Sequence, residues 1–189
     1  MARPREFDEE EVLNKAMEVF WLRGYRATTP QALVEATGLS KSSLYATFES
    51  KNRLFLAVLR RYAELHLQHI RLVLSNESLR AGLEQLYEML VTNSTSGRTC
   101  LLCSTSIEAP RDDRTIADLI ARTQERTEDV LHERLVRAQK EGELSPERDA
   151  RGLARMIIST NTGLMVLARS NPDPDWVRPI AKEMLRTLL

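Results

Sequence analysis

Cysteine, histidine and glycine are scarce in this 189-residue chain, at two, three and seven. Each scarcity closes a class of function. One Cys pair makes no disulfide framework, so the fold must rest on buried apolar surface. A structural zinc site takes four Cys or His ligands, and Cys100-Leu-Leu-Cys103 has no second pair at matching spacing; His66 and His69 read as chance neighbours on a helix. No βαβ pattern surrounds the two cysteines, which removes a thioredoxin-like enzyme. The glycines form no phosphate-cradling run, and no Ser, His and acid stand at hydrolase spacings, so no enzyme, metal or cofactor is expected. No apolar run is long enough to cross a bilayer, and Met-Ala-Arg-Pro-Arg-Glu-Phe-Asp at the start lacks the apolar core of a secretion signal. The expectation is a cytoplasmic protein with no membrane contact. Excess charge is missing too, because 27 Lys and Arg balance 27 Asp and Glu. A nucleic-acid-binding face would therefore have to be made by local arrangement.

What is present is helical periodicity from end to end, with 42% hydrophobic and 29% charged residues and no strand pattern or internal repeat. The fold class is all-α. Arg3 and Arg5 flank Pro4 ahead of the first helix, as a short arm or a disordered tail. Asp8 with Glu11 forms a capping-box-like start, Phe7 can staple onto Val12, and Leu13, Ala16, Met17, Phe20 and Trp21 make an inward face until Gly24 ends the helix. Residues 28–51 read as a helix-turn-helix. Thr29 caps, Pro30 opens, Gly38 supplies the turn, and Ser40 caps a second short helix anchored by Leu44 and Phe48. Lys41, Ser42, Tyr45 and Ala46 then point outward, small and lightly basic, as a major-groove helix requires.

Gly24-Tyr25, Thr28-Thr29, Gly38 and the run Leu-Ser-Lys-Ser-Ser-Leu-Tyr-Ala-Thr-Phe-Glu-Ser-Lys-Asn-Arg-Leu at 39–54 resemble the DNA-binding signature of TetR-type transcriptional regulators. The resemblance implies a homodimeric, all-helical repressor of a double-stranded DNA operator. Residues 1–50 would form the helix-turn-helix domain and residues 51–189 a ligand-binding and dimerisation domain. Ser42 stands where the family often has glycine, Ala46 where a larger polar or aromatic residue is common and Glu49 where proline or glycine is common; the last two departures bear on the operator sequence. Candidate DNA contacts are Lys41 and Ser42 for bases, Thr28, Tyr45 and Lys51 for phosphates, with Thr29, Ser40, Arg3 and Arg5 beside them. A helical adaptor that binds protein in place of DNA is the alternative.

Beyond Ser50, a fourth helix carries Leu54, Val58, Tyr62, Leu65, His69 and Leu72, and a fifth Leu79, Leu83, Leu86 and Leu90, with a loop expected from Asn93 to Gly97. Thr99 to Ala109 is almost uncharged, a helix for the interior. It is the expected wall of a cavity for a small hydrophobic or electrophilic effector, lined by Leu65, Leu86, Leu90, Leu102, Cys103, Ile107, Ile120 and Met165. A seventh helix starts after Pro110 and Asp112, with Ile116, Ile120, Thr123, Thr127, Val130 or Leu131, and Leu135 as its stripe, and stops at Gly142. Ser145 and Pro146 should open an eighth. The last begins after Asn171-Pro-Asp-Pro174, where Pro179 kinks or delays it. These two terminal helices are too apolar for a monomer's surface and imply a homodimer interface. Cys100 is the candidate sensor thiol, because a helix N-terminus and nearby Arg98 favour thiolate; packing is the competing role for both cysteines.

Overall fold

In the computed structural model, which describes residues 7–76, 78–95, 100–108, 113–171 and 173–189, the described residues form helices and connections without strands. The helices are α1 (Glu9–Ala27), α2 (Pro30–Thr37), α3 (Lys41–Phe48), α4 (Lys51–Leu74), α5 (Leu79–Thr95), α6 (Leu101–Glu108), α7 (Arg114–Lys140), α8 (Ala150–Ser170) and α9 (Pro174–Leu188). None is long and apolar enough to cross a membrane.

Local signals place most of the boundaries. The Asp8 side chain accepts from the Glu10 N–H, Thr29 from Ala32, Ser40 from Ser43 and Ser50 from Arg53, so each helix start in the N-terminal part is closed by its own cap. Gly24 breaks α1 without ending it. Its φ of 73° and ψ of 167° put a kink there, and one further turn reaches Ala27.

Other expectations shift. Residues 93–95 continue α5, and the true cap of α7 is Asp113, whose carboxylate accepts from the Ile116 N–H. Ser145 and Pro146 lie in a turn, and α8 starts at Ala150 behind Asp149. Pro179 sits inside α9, which begins at Pro174 behind Asp173, so the start is not delayed. In α4, Leu72 is exposed, because a row kept at seven-residue spacing drifts around a 3.6-residue helix and Leu67, Ile70 and Leu74 take the inner face.

Two apolar clusters organise the chain. The first joins Phe20, Leu33, Leu44, Leu54 and Leu59 of α1 to α4, and extends to Leu101 of α6 and Ile116 of α7. The second joins α5, α7, α8 and α9 through Leu83, Leu135, Ile157 and Leu188. α4 contributes to both, so the helix under the helix-turn-helix also walls the second half.

One backbone position is strained. Glu49 closes α3 with φ 63° and ψ −48°, a region that side chains with a Cβ seldom occupy. Glu49→Gly should therefore stabilise the protein by about 1 kcal/mol, seen as a melting temperature higher by about 2–4 °C. An unchanged or lower melting temperature would show that the turn carries no strain.

Candidate nucleic-acid interface and internal cavity

α3 presents Lys41, Ser42 and Ala46 to solvent, while Leu44 and Phe48 fix it against α1 and α4. The Ser40 hydroxyl caps the helix and lies 2.9 Å from both Ser42 Oγ and Ser43 Oγ. Tyr45 is half-buried and Thr29 exposed. Two expected phosphate contacts turn out to be tied inward. Thr28 is 1% exposed and donates its hydroxyl to the Gly24 carbonyl at 2.7 Å, so it belongs to the kink of α1 and not to the surface. Lys51 donates through Nζ to the carbonyls of Tyr25 and Thr28, both at 3.0 Å, and lies over the Tyr25 ring at 4.4 Å. It therefore fastens the start of α4 to the end of α1. Arg3 and Arg5 lie outside the described residues.

Behind this surface lies a cavity of about 460 Å³ between α1, α4, α5, α6, α7 and α8. Leu65, Leu86, Leu90, Leu102, Cys103 and Met165 line it as expected. Ile107 does not, being 60% exposed, and Ile120 is buried in the first apolar cluster. Ile107 follows Cys103 by four residues, so it lies on the same side of α6 but one turn further on, where it is exposed. Sequence reasoning missed Trp21, Tyr62 and His66, which meet there from α1 and α4; Trp21 stands edge-on to Tyr62, with ring centroids 5.3 Å apart and planes at 83°. An aromatic row on α1 continuing toward Tyr62 on α4 was the available signal. It read as plain core.

α6 also reaches the kink. A Cβ at Gly24 would lie 2.8 Å from Glu108 Oε2, and Arg169 of α8 holds Glu108 at 3.6 Å and Ser104 at 3.2 Å. The cavity wall and the joint of the helix-turn-helix thus share one short helix.

Residues 12–58 match the family described as bacterial regulatory proteins, tetR family, and residues 76–184 match the tetracyclin repressor-like C-terminal domain. The chain belongs to the TetR family of transcriptional regulators. It is 31% identical over 189 residues to the HTH-type transcriptional repressor ComR of Escherichia coli K12, covering 97% of this chain and 90% of that one. It is 29% identical to the HTH-type regulator YezE of Bacillus subtilis 168, covering 93% of each. Among solved structures, a triple cysteine mutant of the TetR family regulator CifR, complexed with 26 bp double-strand operator DNA, superposes with a TM-score of 0.85 at 30% identity over 100% of both chains.

In this TetR-family chain the two thiols share one wall of the cavity but differ in environment. Cys100 precedes α6 as its cap, with its carbonyl accepting from Ser104 at 2.9 Å. Its sulfur takes a hydrogen bond from the Cys103 thiol, which holds the Cys100 pKa below the ordinary thiol value against the effect of burial. The charge of His66, the Cys103 N–H and the Tyr62 hydroxyl act in the same direction. The Cys103 thiol is pushed up, first by donating to Cys100 and then by burial. Cys100 is buried and Cys103 half-buried. Arg98, invoked for Cys100 from sequence, lies outside the described residues.

Proposed function

We propose that this TetR-family regulator is a homodimeric repressor that binds a near-palindromic operator through α3 and leaves it when a small apolar effector fills the cavity. The observation that carries this is the junction of cavity and joint. α4 runs from the cavity wall, at Tyr62, Leu65 and His66, to its start at Lys51 under the α1 kink, and α6 touches that kink through Glu108. An occupant that displaces α4 or α6 therefore changes the angle of the helix-turn-helix and, in a dimer, the distance between two recognition helices. That distance must match successive major grooves, about 34–36 Å or a multiple.

Lys41 and Ser42 are assigned to base edges, and Tyr45 to phosphate. Lys51 keeps one donor beyond the two carbonyls it binds, and that donor is assigned to a phosphate at the start of α4. Thr29 and Ser40 support these residues as helix caps. A mobility shift on DNA from the protein's own upstream region is expected to give salt-sensitive binding, with a footprint of two-fold symmetry. Absence of salt-sensitive binding to any such fragment would leave a protein-binding adaptor as the function.

Lys41→Ala should cost about 1–3 kcal/mol on the cognate site and relax sequence preference. Lys51→Ala should weaken all sequences alike and flatten the dependence of affinity on salt. Uniform losses from both variants would remove the division between base and phosphate contacts.

A further inference from the structure

Beside the effector reading stands a chemical feature that simple packing leaves idle. Cys100 and Cys103 both open on the cavity, and the Cys100 sulfur collects the Cys103 thiol, the Cys103 N–H and the Tyr62 hydroxyl as donors, at the positive end of α6. The Leu101 N–H in turn bonds the Tyr62 hydroxyl, so the tyrosine is itself held in place. Cys103 stands 4.0 Å from Thr162 Oγ1 across the cavity from α8.

The cavity states what could reach that sulfur. Among the described residues no Asp, Glu, Lys or Arg lines it; His66 and His69 do, and its other walls include Trp21, Leu86, Leu90 and Met165. With two histidines as the charge-bearing groups on an otherwise mostly apolar wall, a neutral and largely apolar occupant gives up the least hydration there. At about 460 Å³ the space far exceeds a peroxide and suits a carbon skeleton of the size of an aryl ketone.

We propose that Cys100 is the covalent attachment point for a neutral, apolar α,β-unsaturated carbonyl compound, with Cys103 as the proton donor. The inference rests on the cavity being the effector site. The Cys100 sulfur forms a bond to the β-carbon, the C=C pair moves to the α-carbon as an enolate, and the α-carbon takes the proton of the Cys103 thiol. Cys103 then recovers a proton from water at the cavity mouth. No oxidant or reductant enters. Attachment removes the charge that caps α6 and puts a bulky group against it, which displaces the helix that meets the α1 kink through Glu108.

The test uses full-length protein with benzylideneacetone and with its saturated analogue benzylacetone, read by intact mass and peptide mapping. One adduct, on Cys100 and from the unsaturated ketone alone, is expected. Cys100→Ser should abolish it while keeping the wild-type melting temperature. Cys103→Ser should keep the site but slow the reaction about a hundredfold, because the enolate loses the thiol that protonates it. First attack at Cys103, or no adduct on folded protein whose two thiols both react after unfolding, overturns the proposal. Operator release is measured in parallel. If both ketones release operator and neither forms an adduct, the cavity reading stands and the covalent step fails. If untreated protein binds no operator, the regulatory reading fails, while the adduct on Cys100 is still decided by mass.

Discussion

Leu167→Glu is expected to yield a folded monomer that no longer shifts the operator at concentrations saturating for the parent. Along α8, Met156, Gly163, Val166 and Leu167 fall on one face that no other part of the described chain covers; Leu167 is 48% exposed, and Trp176 at the start of α9 is 39% exposed. Gly163 has nothing within 4 Å of the place its Cβ would take, which leaves room for the close approach of a second helix. A face of this kind, apolar with a small residue at its centre, is what a two-fold interface between α8 and α9 of two copies would bury. A carboxylate at Leu167 would then be desolvated against its symmetry mate. Because two half-sites bind far more tightly when tethered, by roughly 10²–10⁴, loss of the dimer removes nearly all measurable affinity. Sedimentation velocity together with circular dichroism checks it. A variant that remains dimeric with wild-type operator affinity would put the interface elsewhere.

The second large effect concerns stability. Arg134 of α7 is 5% exposed, and its Nη2 lies 2.6 Å from Glu143 Oε1. The other carboxylate oxygen accepts from the Leu79 N–H, also at 2.6 Å, so Glu143 caps α5 as well. Removing it withdraws a 2.6 Å ionic contact of a buried guanidinium and one helix cap together. The cost expected of Glu143→Ala is about 3 kcal/mol, the low end for a broken buried pair because the carboxylate keeps some solvent. For a chain of this length that lowers the melting temperature by about 6–12 °C.

The same contacts set a pH dependence. Burial raises the Glu143 pKa, but the hydrogen bonds from Arg134 and Leu79 and the charges of Arg134 and Arg137 outweigh it, leaving it below the usual carboxylate value. A depressed folded pKa contributes stability that is complete above the unfolded value, about 4.3, and is lost as pH falls through the folded one. The stability gap between wild type and Glu143→Gln should therefore be constant at neutral pH and close in acid, below about pH 4. A gap independent of pH would mean that Glu143 acts through shape alone.

The chain itself determined the helix-turn-helix, which depends on a few adjacent residues. Thr29 capping Ala32, Gly38 turning with φ 74°, and Ser40 capping Ser43 are contacts within three or four positions, so the order of residues suffices to set the helix-turn-helix and its outward side chains. The unusual residue Glu49 marked a position whose backbone proved strained for the same local reason. Periodicity fixed the stripe of α7, from Ile116 to Leu135, because burial on a long helix follows its pitch. Only tertiary structure decided what lies across the fold: that Lys51 grips carbonyls 23 and 26 positions away, and that Glu143 caps a helix 64 positions earlier. It also chose the cavity's walls, excluding Ile107 and Ile120 and admitting Trp21, Tyr62 and His66. Apolarity alone cannot separate a side chain that fills a core from one that borders a void, because that depends on how closely the opposing helices pack.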